Sequence, residues 1–173
     1  MTLPASQGRP YRVSMVCLGN ICRSPMAASV LRSRLEAEGI SDDIVVDSAG
    51  TGSWHVGEPA DPRARAALAR RGHDGEQHRA QQFAGEWFDN RDLILAMDHD
   101  NLRTLRRLAP DEAAAERAVL LRRFDADAAD GDDPVVPDPY YGDDRDFETA
   151  LDIIEHAVDG LVAQLRAHLD LPR

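Results

Sequence analysis

With 173 residues, 43% of them hydrophobic, the chain is long enough for one domain with one sizeable core. Its net charge of −11 is the opposite of the basic surface that nucleic-acid binding requires, so we expect no nucleic-acid partner. All 20 basic residues are arginine, which excludes a Walker-type phosphate loop, a Schiff-base enzyme and a pyridoxal enzyme, since each of these depends on a lysine.

The N-terminus and the hydropathy of the chain bear on its location. Residues 1–10 lack the basic start and apolar core of a signal peptide, and no apolar run is as long as a membrane span. We therefore expect a cytoplasmic protein without membrane association, and leave open export by a route that needs no signal peptide. A single domain is predicted over residues 11–171, with residues 1–10 as a flexible N-terminal extension.

The first predicted strand and helix enclose a short loop. Residues 11–17 are an apolar run typical of a buried strand, and Ser24 with Pro25 favours the N-cap and first position of a helix that ends near Gly39. The loop therefore ends at a helix N-terminus, where unpaired backbone amides and the helix dipole favour an anion. We predict a phosphate-binding loop consisting of Leu18, Gly19, Asn20, Ile21, Cys22, Arg23 and Ser24.

Two side chains at this loop indicate its chemistry. Arg23 carries a planar fork suited to two phosphate oxygens. Cys17 is a candidate nucleophile, because helix N-termini and nearby cations stabilise the reactive thiolate. Cys17 and Cys22 are the only cysteines, with neither a disulfide framework nor a zinc spacing, and the six histidines are scattered. We therefore expect no metal and no other cofactor.

The rest of the chain alternates short apolar runs with helical periods. Further strands are predicted at residues 43–50, 91–97 and 118–124, with helices that begin at Asp61, pass through residues 102–108, and extend from Phe147 to Leu169. This alternation predicts a single-domain, three-layer α/β fold with a four-stranded parallel sheet flanked by helices. Ligands of such sheets bind at the carboxyl ends of strands, where the loop after the first strand is expected.

Three segments carry weaker signals. The glycine-containing residues 50–57 lack the final glycine and the following helix of a dinucleotide fingerprint, so we exclude that reading. The acidic residues 125–137 lack periodicity and predict a solvated loop. Residues 138–141 read DPYY, and an Asp-Pro pair commonly begins a turn. The acidic residues just after it are predicted to cap the last helix; they are Asp143, Asp144 and Asp146.

Two separated motifs together indicate a family. The segment CLGNICRSP, residues 17–25, resembles the signature of the low-molecular-weight protein tyrosine phosphatases, and DPYY resembles a second motif that lies far downstream in that family. Residues 46–57 and 93–102 are also similar, so the resemblance spans roughly residues 11–169. It implies a protein tyrosine phosphatase that hydrolyses phosphotyrosine in proteins without a metal.

The resemblance also implies catalytic roles. Cys17 would attack phosphorus to form a phosphocysteine intermediate, while Arg23 and the loop amides hold the phosphoryl oxygens. Asp138 matches the family's general acid, which protonates the leaving group and later deprotonates the hydrolytic water. Asp143, Asp144 and Asp146 are nearby alternatives for this acid.

Further residues are expected to support the loop and to form a substrate slot. We expect the Ser24 hydroxyl to donate to the Cys17 sulfur and Asn20 to fix the loop shape. Ser48 and His78 match the serine and histidine of the family's supporting network. The slot walls implied for a phenyl ring are Ile21, Trp54, Tyr140 and Tyr141. Relatives acting on phosphoarginine tend to have threonine in place of Ile21, so an aliphatic side chain favours an aryl substrate.

The implied partners are a tyrosine-phosphorylated protein and inorganic phosphate or another oxyanion as an active-site inhibitor, with the chain acting as a monomer. Two other activities remain open. Arsenate reductase shares the fold but passes a disulfide along three cysteines, and a silent phosphotyrosine-binding module would need no nucleophile or acid. Cys22 is predicted to be a redox partner that forms a disulfide with Cys17 under peroxide.

Overall fold

The computed structural model describes residues 2–128 and 131–172. These residues form four strands, β1 (Tyr11–Cys17), β2 (Ile44–Gly50), β3 (Leu93–Ala96) and β4 (Ala118–Leu120), and five α-helices, α1 (Arg23–Ala37), α2 (Pro62–Arg70), α3 (His99–Leu108), α4 (Glu112–Ala115) and α5 (Asp144–His168). All strand pairs are parallel, in the order β2-β1-β3-β4. The predicted α/β fold with a four-stranded parallel sheet is confirmed.

The sheet separates two apolar layers, because side chains of successive strand residues point to opposite faces. Val13 and Met15 of β1 belong to a large cluster with residues of α1 and α5, whereas Val16 belongs to a smaller cluster with residues of α3. The α5 stripe predicted from the sequence is buried in the larger cluster, from Phe147 to Leu165. Helices therefore cover both faces of the sheet.

The sheet order determines where a ligand can bind. β1 lies between β2 and β3, so the connections after β1 and after β2 lead to opposite sides of it. Such a reversal of strand order opens a crevice beyond the carboxyl ends of the strands. The carboxyl end of β1 is Cys17, which pairs in register with Gly50 of β2.

The fourth strand is shorter than predicted. The sequence indicated a strand over residues 118–124, but β4 ends at Leu120 and a 3₁₀ turn follows over Leu121–Phe124. Leu121 and Phe124 are both buried in the cluster against α5, and their spacing of three residues places them on one side of a 3₁₀ turn, whereas strand geometry would place them on opposite sides.

The described part of the acidic segment, residues 125–128 and 131–137, has no helix or strand, in agreement with the predicted loop. Residues 129 and 130 of that predicted loop lie outside the described residues. Among the described residues no helix is long and apolar enough to cross a membrane.

Residues 2–10 contact the domain. The Leu3 side chain is buried in the larger cluster, the Tyr11 hydroxyl donates to the Pro4 carbonyl oxygen, and the Gln7 amide donates to the Asp92 carboxylate. These contacts run against the expectation of a flexible extension. We propose instead that residues 2–10 pack as the edge of the domain.

Gly160 allows α5 to lie against the 3₁₀ turn. A Cβ atom at this position would lie 1.8 Å from the Phe124 carbonyl oxygen, which is backbone and cannot rotate away. Gly160→Ala is therefore expected to destabilise the protein by about 2 kcal/mol or more through overpacking, although alanine is the better helix former. Thermal denaturation measures this effect, and the exposed Ala163→Gly substitution is the control for helix propensity alone. A raised melting temperature for Gly160→Ala would contradict the close approach.

Candidate active site

The loop between β1 and α1 turns sharply at the crevice. Asn20 has φ of 58°, a left-handed conformation that asparagine tolerates better than most residues. The loop also lies very close to the end of β2, since a Cβ atom at Gly50 would be 2.6 Å from the Leu18 carbonyl oxygen. The amides of Thr51 and Gly52 donate to the carbonyl oxygens of Cys17 and Leu18 and hold the loop in place.

The backbone amides of the loop are available to an anion. Within the described residues, none of the amides of residues 18–23 donates a hydrogen bond to a protein acceptor. The sequence placed the N-cap at Ser24, which is wrong: α1 already begins at Arg23, with Cys22 as N-cap and no side-chain cap. The Ser24 side chain bonds to the sulfur of Cys17 instead. With no side-chain cap at Cys22, the loop amides at the start of α1 are left for a ligand.

Ser24 connects the sulfur to the supporting residues. The Cys17 Sγ and Ser24 Oγ atoms are 2.9 Å apart, and Ser24 Oγ accepts a hydrogen bond of 2.8 Å from the Asn20 side-chain amide. Because Ser24 Oγ is the acceptor of this bond, its own hydroxyl hydrogen can point to the Cys17 sulfur. A hydrogen bond donated there stabilises a thiolate. The only other acceptor near this hydroxyl among the described residues is the Ala49 carbonyl oxygen, at 3.4 Å.

The other predicted support residues join the same network. The Asn20 side-chain amide also donates to Ser48 Oγ at 3.0 Å, and its Oδ1 atom accepts from the Gln81 amide at 3.0 Å. His78 Nε2 lies 2.6 Å from the Asn20 carbonyl oxygen, which can only accept, so Nε2 carries the proton. Burial lowers the pKa of His78, so the ring is neutral at neutral pH. Gln81 was not identified from the sequence.

Arg23 is fixed beneath the loop. Its side chain is 3% exposed, and Nη1 donates to Asp98 Oδ2 at 2.7 Å and to the Val136 carbonyl oxygen at 3.0 Å. Burial opposes the charge on Arg23, but the Cys17 charge, the hydrogen bond to Asp98 and the charge of Asp138 outweigh it and raise the pKa of the guanidinium. The guanidinium is therefore a permanent cation with a fixed orientation.

Asp98 was not identified from the sequence as a site residue. It follows β3, caps α3 through its other carboxylate oxygen, and binds Arg23 across the crevice. Its position one residue beyond the predicted third strand could have identified it as a site residue. A side chain at the carboxyl end of that strand lies at the same sheet edge as the loop after Cys17.

Asp138 lies on the opposite wall from the loop. Its Oδ2 atom is 3.5 Å from Arg23 Nη2, and its side chain is 41% exposed, so it reaches both the buried cation and solvent. Its Oδ1 atom also accepts from the Tyr140 amide, which is the turn role expected of an Asp-Pro pair. Two of the three predicted caps are confirmed, since Asp143 caps α5 and Asp146 completes a capping box, whereas Asp144 lies in the first turn.

A cavity of about 420 Å³ opens above the sulfur. Three of the predicted slot residues differ strongly in exposure: Ile21 is buried, Trp54 is 71% exposed and packs over Gly52, and Tyr141 is 93% exposed. The cavity lining includes all four predicted wall residues, namely Ile21, Trp54, Tyr140 and Tyr141, together with Cys17, Arg23 and Asp138.

Two further residues shape this cavity and were not identified from the sequence. His55 lines it and faces Tyr140, with the ring centres 6.3 Å apart. Arg63 holds the loop that carries Asp138, because it donates to the carbonyl oxygens of Tyr140 and Gly142 while its own guanidinium is paired with the α2 N-cap Asp61.

Comparison with known sequences gives a consistent result. The family model described as low molecular weight phosphotyrosine protein phosphatase matches residues 12–171. A low molecular weight protein-tyrosine-phosphatase of Streptomyces coelicolor is 51% identical over 160 residues, which cover 92% of this chain and 96% of the relative. Low molecular weight protein-tyrosine phosphatase A of Mycobacterium tuberculosis is 44% identical, over 88% of this chain and 90% of its own.

Solved structures agree with this match. A protein tyrosine phosphatase from Entamoeba histolytica with Hepes in the active site has a TM-score of 0.85 and 34% identity, over 91% of this chain and 97% of its own. Vibrio vulnificus Wzb in complex with benzylphosphonate has a TM-score of 0.76 and 28% identity, over 89% of this chain and 98% of its own.

Proposed function

The chain belongs to the low molecular weight phosphotyrosine protein phosphatase family and is a protein-tyrosine phosphatase, and from that premise we propose how its residues hydrolyse phosphotyrosine. The observation that supports the mechanism best is the common position of three groups: the Cys17 sulfur, the Arg23 guanidinium and the Asp138 carboxylate line one cavity. A nucleophile, a phosphate ligand and a proton donor are the parts that hydrolysis of an aryl phosphate requires.

In the first half-reaction the Cys17 thiolate attacks phosphorus. The sulfur–phosphorus bond forms as the bond to the phenolic oxygen breaks, and protonated Asp138 gives its proton to that oxygen. The loop amides and Arg23 bind the three equatorial oxygens and offset their developing charge. The mechanism uses only groups of the chain and substrate, with no metal or other cofactor.

In the second half-reaction water attacks the phosphocysteine. Asp138, now ionised, accepts a proton from this water, and the Cys17 thiolate leaves. Ser24 stabilises the departing sulfur, because its hydroxyl oxygen lies 2.9 Å from Sγ. That oxygen accepts a hydrogen bond from Asn20, so the hydroxyl hydrogen can be donated to the sulfur. One carboxylate thus serves as acid and then as base.

The walls of the cavity support a phosphotyrosine side chain as substrate. Tyr140 and the aliphatic Ile21 offer apolar contact to a phenyl ring. Cys17 is 2% exposed and its sulfur faces the cavity, so a phosphate on a short serine side chain reaches it poorly. We propose a tyrosine-phosphorylated protein as the physiological substrate class and inorganic phosphate as a competitive inhibitor.

Replacement of Asp138 tests the acid and base role. Asp138→Ala is expected to lower kcat for phosphotyrosine by about 10²–10³-fold, because proton transfer to the phenolic oxygen is lost. The loss should be smaller for an aryl phosphate whose leaving group needs no proton, until breakdown of the intermediate limits the rate. Quenched reactions of this variant with such an aryl phosphate should accumulate a phosphoryl group on Cys17, detected by mass spectrometry of the peptide.

The control for this experiment is Asp144→Ala, which removes a nearby exposed carboxylate from the first turn of α5. Its rate should stay close to that of the unmodified protein. Phosphate release from phosphoserine and phosphoarginine substrates, measured alongside, tests the slot. If Asp144→Ala lost activity and Asp138→Ala kept it, the assignment of the acid would be wrong.

We also propose that Cys22 protects the nucleophile from peroxide. The Cys17 thiolate would attack one oxygen of peroxide, which gives a sulfenic acid and hydroxide. The sulfur of the Cys22 thiol would then attack the sulfenic sulfur, and the sulfenic hydroxyl leaves as water with the thiol proton as the disulfide forms. Both cysteines are free thiols. Burial, with the Asp61 charge second, raises the pKa of the Cys22 thiol, so Cys22 is neutral and reacts slowly with peroxide, and oxidation begins at Cys17. Mass spectrometry after peroxide should show an intact chain lighter by two hydrogens, and sulfinic acid on Cys17 without that loss would exclude the disulfide.

A further inference from the structure

His55 is a cavity residue that the proposed mechanism does not use. Its side chain is 28% exposed and lies at the mouth, facing Tyr140. The basic residues that line the cavity, among the residues the structure describes, are Arg23 and His55. Because Arg23 is buried and held by Asp98, His55 is the one of these two basic lining residues that reaches solvent.

The orientation of the His55 ring is set from two sides. Its Nδ1 atom lies 2.7 Å from the Glu58 carboxylate, so Nδ1 carries a proton and donates to Oε2. Its other edge lies against the phosphate loop, since a Cβ atom at Gly19 would be 3.0 Å from His55 Cδ2 and 3.7 Å from Nε2. With Nδ1 occupied, Nε2 is the ring nitrogen left to meet a substrate.

The chemistry of Nε2 depends on the charge of the ring. In a neutral ring whose Nδ1 is protonated, Nε2 is an acceptor, whereas in the cation it is a donor that carries positive charge. The phosphoryl oxygens are already matched by the loop amides and Arg23 at the bottom of the cavity. A donor at the mouth therefore meets the residues next to phosphotyrosine, and a cation there favours a carboxylate.

We propose, on the basis of the proposed function, that His55 is a specificity-determining residue whose protonated ring binds an acidic residue next to the phosphotyrosine of the substrate. Glu58 holds the ring in place for this contact. Asp138 and Glu58 near the mouth repel an acidic substrate, and the Arg63 guanidinium near Tyr140 is paired with Asp61, so the preference depends on the charge of His55.

A ratio of rates isolates this contact from other ionisations. The other titratable groups that line the cavity are Cys17, Cys22, Arg23, Asp138, Tyr140 and Tyr141. We compare two peptides that differ only in having Asp or Asn beside the phosphotyrosine. Ionisation of these groups, and of the phosphate itself, changes the hydrolysis rates of both peptides to a similar extent. The ratio of kcat/KM for such a pair therefore reports on recognition of the carboxylate.

The experiment measures this ratio from about pH 5.5 to pH 8, the range in which histidine changes charge. Two peptide pairs are used, one with the Asp or Asn before the phosphotyrosine and one with it after. We expect the unmodified protein to prefer the Asp peptide by about fivefold at the acidic end for one of these positions, the size of an exposed ion pair. The ratio should fall to about one at the basic end. His55→Gln and His55→Phe should give a ratio of about one at every pH, while the exposed His156→Gln on α5 should retain the full ratio.

Three outcomes would overturn the inference. A ratio of one at all pH values in the unmodified protein would show that no carboxylate is recognised. A ratio that persists in His55→Phe would assign the effect to an aromatic wall and not to charge. If the unmodified protein hydrolyses neither peptide, the proposed function fails and this inference with it, whereas equal hydrolysis of both peptides overturns only the role of His55.

Discussion

Cys17→Ser is expected to abolish turnover of phosphotyrosine, with a fall in kcat/KM of roughly 10⁴-fold or more. A serine hydroxyl oxygen is a much poorer nucleophile toward phosphorus than a thiolate sulfur, and a poorer leaving group from the intermediate. The amides of the loop and Arg23 remain in place, so phosphate binding should survive the loss of chemistry. Steady-state assays and calorimetric titration with inorganic phosphate measure the two properties separately.

Cys22→Ser is the matched control, because it replaces the only other cysteine, five positions along the same loop. Burial raises the pKa of the Cys22 thiol, so it is neutral near pH 7 and unsuited to attack phosphorus. This variant should keep activity within about tenfold of the unmodified protein. Full activity in Cys17→Ser would contradict the phosphocysteine mechanism, as would loss of activity in Cys22→Ser alone.

Arg23→Lys is expected to lower kcat/KM by about 10²–10³-fold even though the positive charge is kept. An ammonium group cannot bind two phosphoryl oxygens in one plane and also hold Asp98 and the Val136 carbonyl oxygen at the distances seen for Arg23. Because these oxygens carry more charge in the transition state than in the ground state, kcat should fall more than KM rises.

The control for this substitution is Arg145→Lys in α5, which replaces an exposed arginine outside the cavity. It should leave both kinetic constants unchanged. Thermal denaturation of Arg23→Lys separates a catalytic loss from unfolding, because Arg23 is buried and a lysine there leaves Asp98 with a weaker partner. Near-normal kcat/KM in a folded Arg23→Lys protein would contradict the bidentate role.

Much of the fold could be predicted because its signals are local. The spacing of apolar residues placed all four strands and the helices α1, α2, α3 and α5, and glycines with positive φ follow α1 and α2 at Gly39 and Gly72. The short helix α4 was not predicted, since four residues give too little periodicity. The end of β4 was wrong because burial of Leu121 and Phe124 against α5 is decided by packing and not by the strand itself.

The N-cap of α1 shows how a local rule fails at a functional site. Ser24 before Pro25 is a strong N-cap signal, yet the N-cap is Cys22, two residues earlier, and the Ser24 hydroxyl bonds to Cys17 Sγ. The local preference of serine is therefore overridden by contacts with Cys17 and Asn20.

The sequence by itself predicted the candidate nucleophile, the candidate anion-binding loop and the parallel sheet, because their signals lie within single strands, loops and helices. Only the tertiary structure decided that Asp98 and Val136 hold Arg23, which they contact across 75 and 113 residues of chain, and that His55 faces Tyr140. The physical reason is that a parallel sheet brings the carboxyl ends of its strands to one edge whatever their separation in the chain. Sequence spacing carries no measure of that distance.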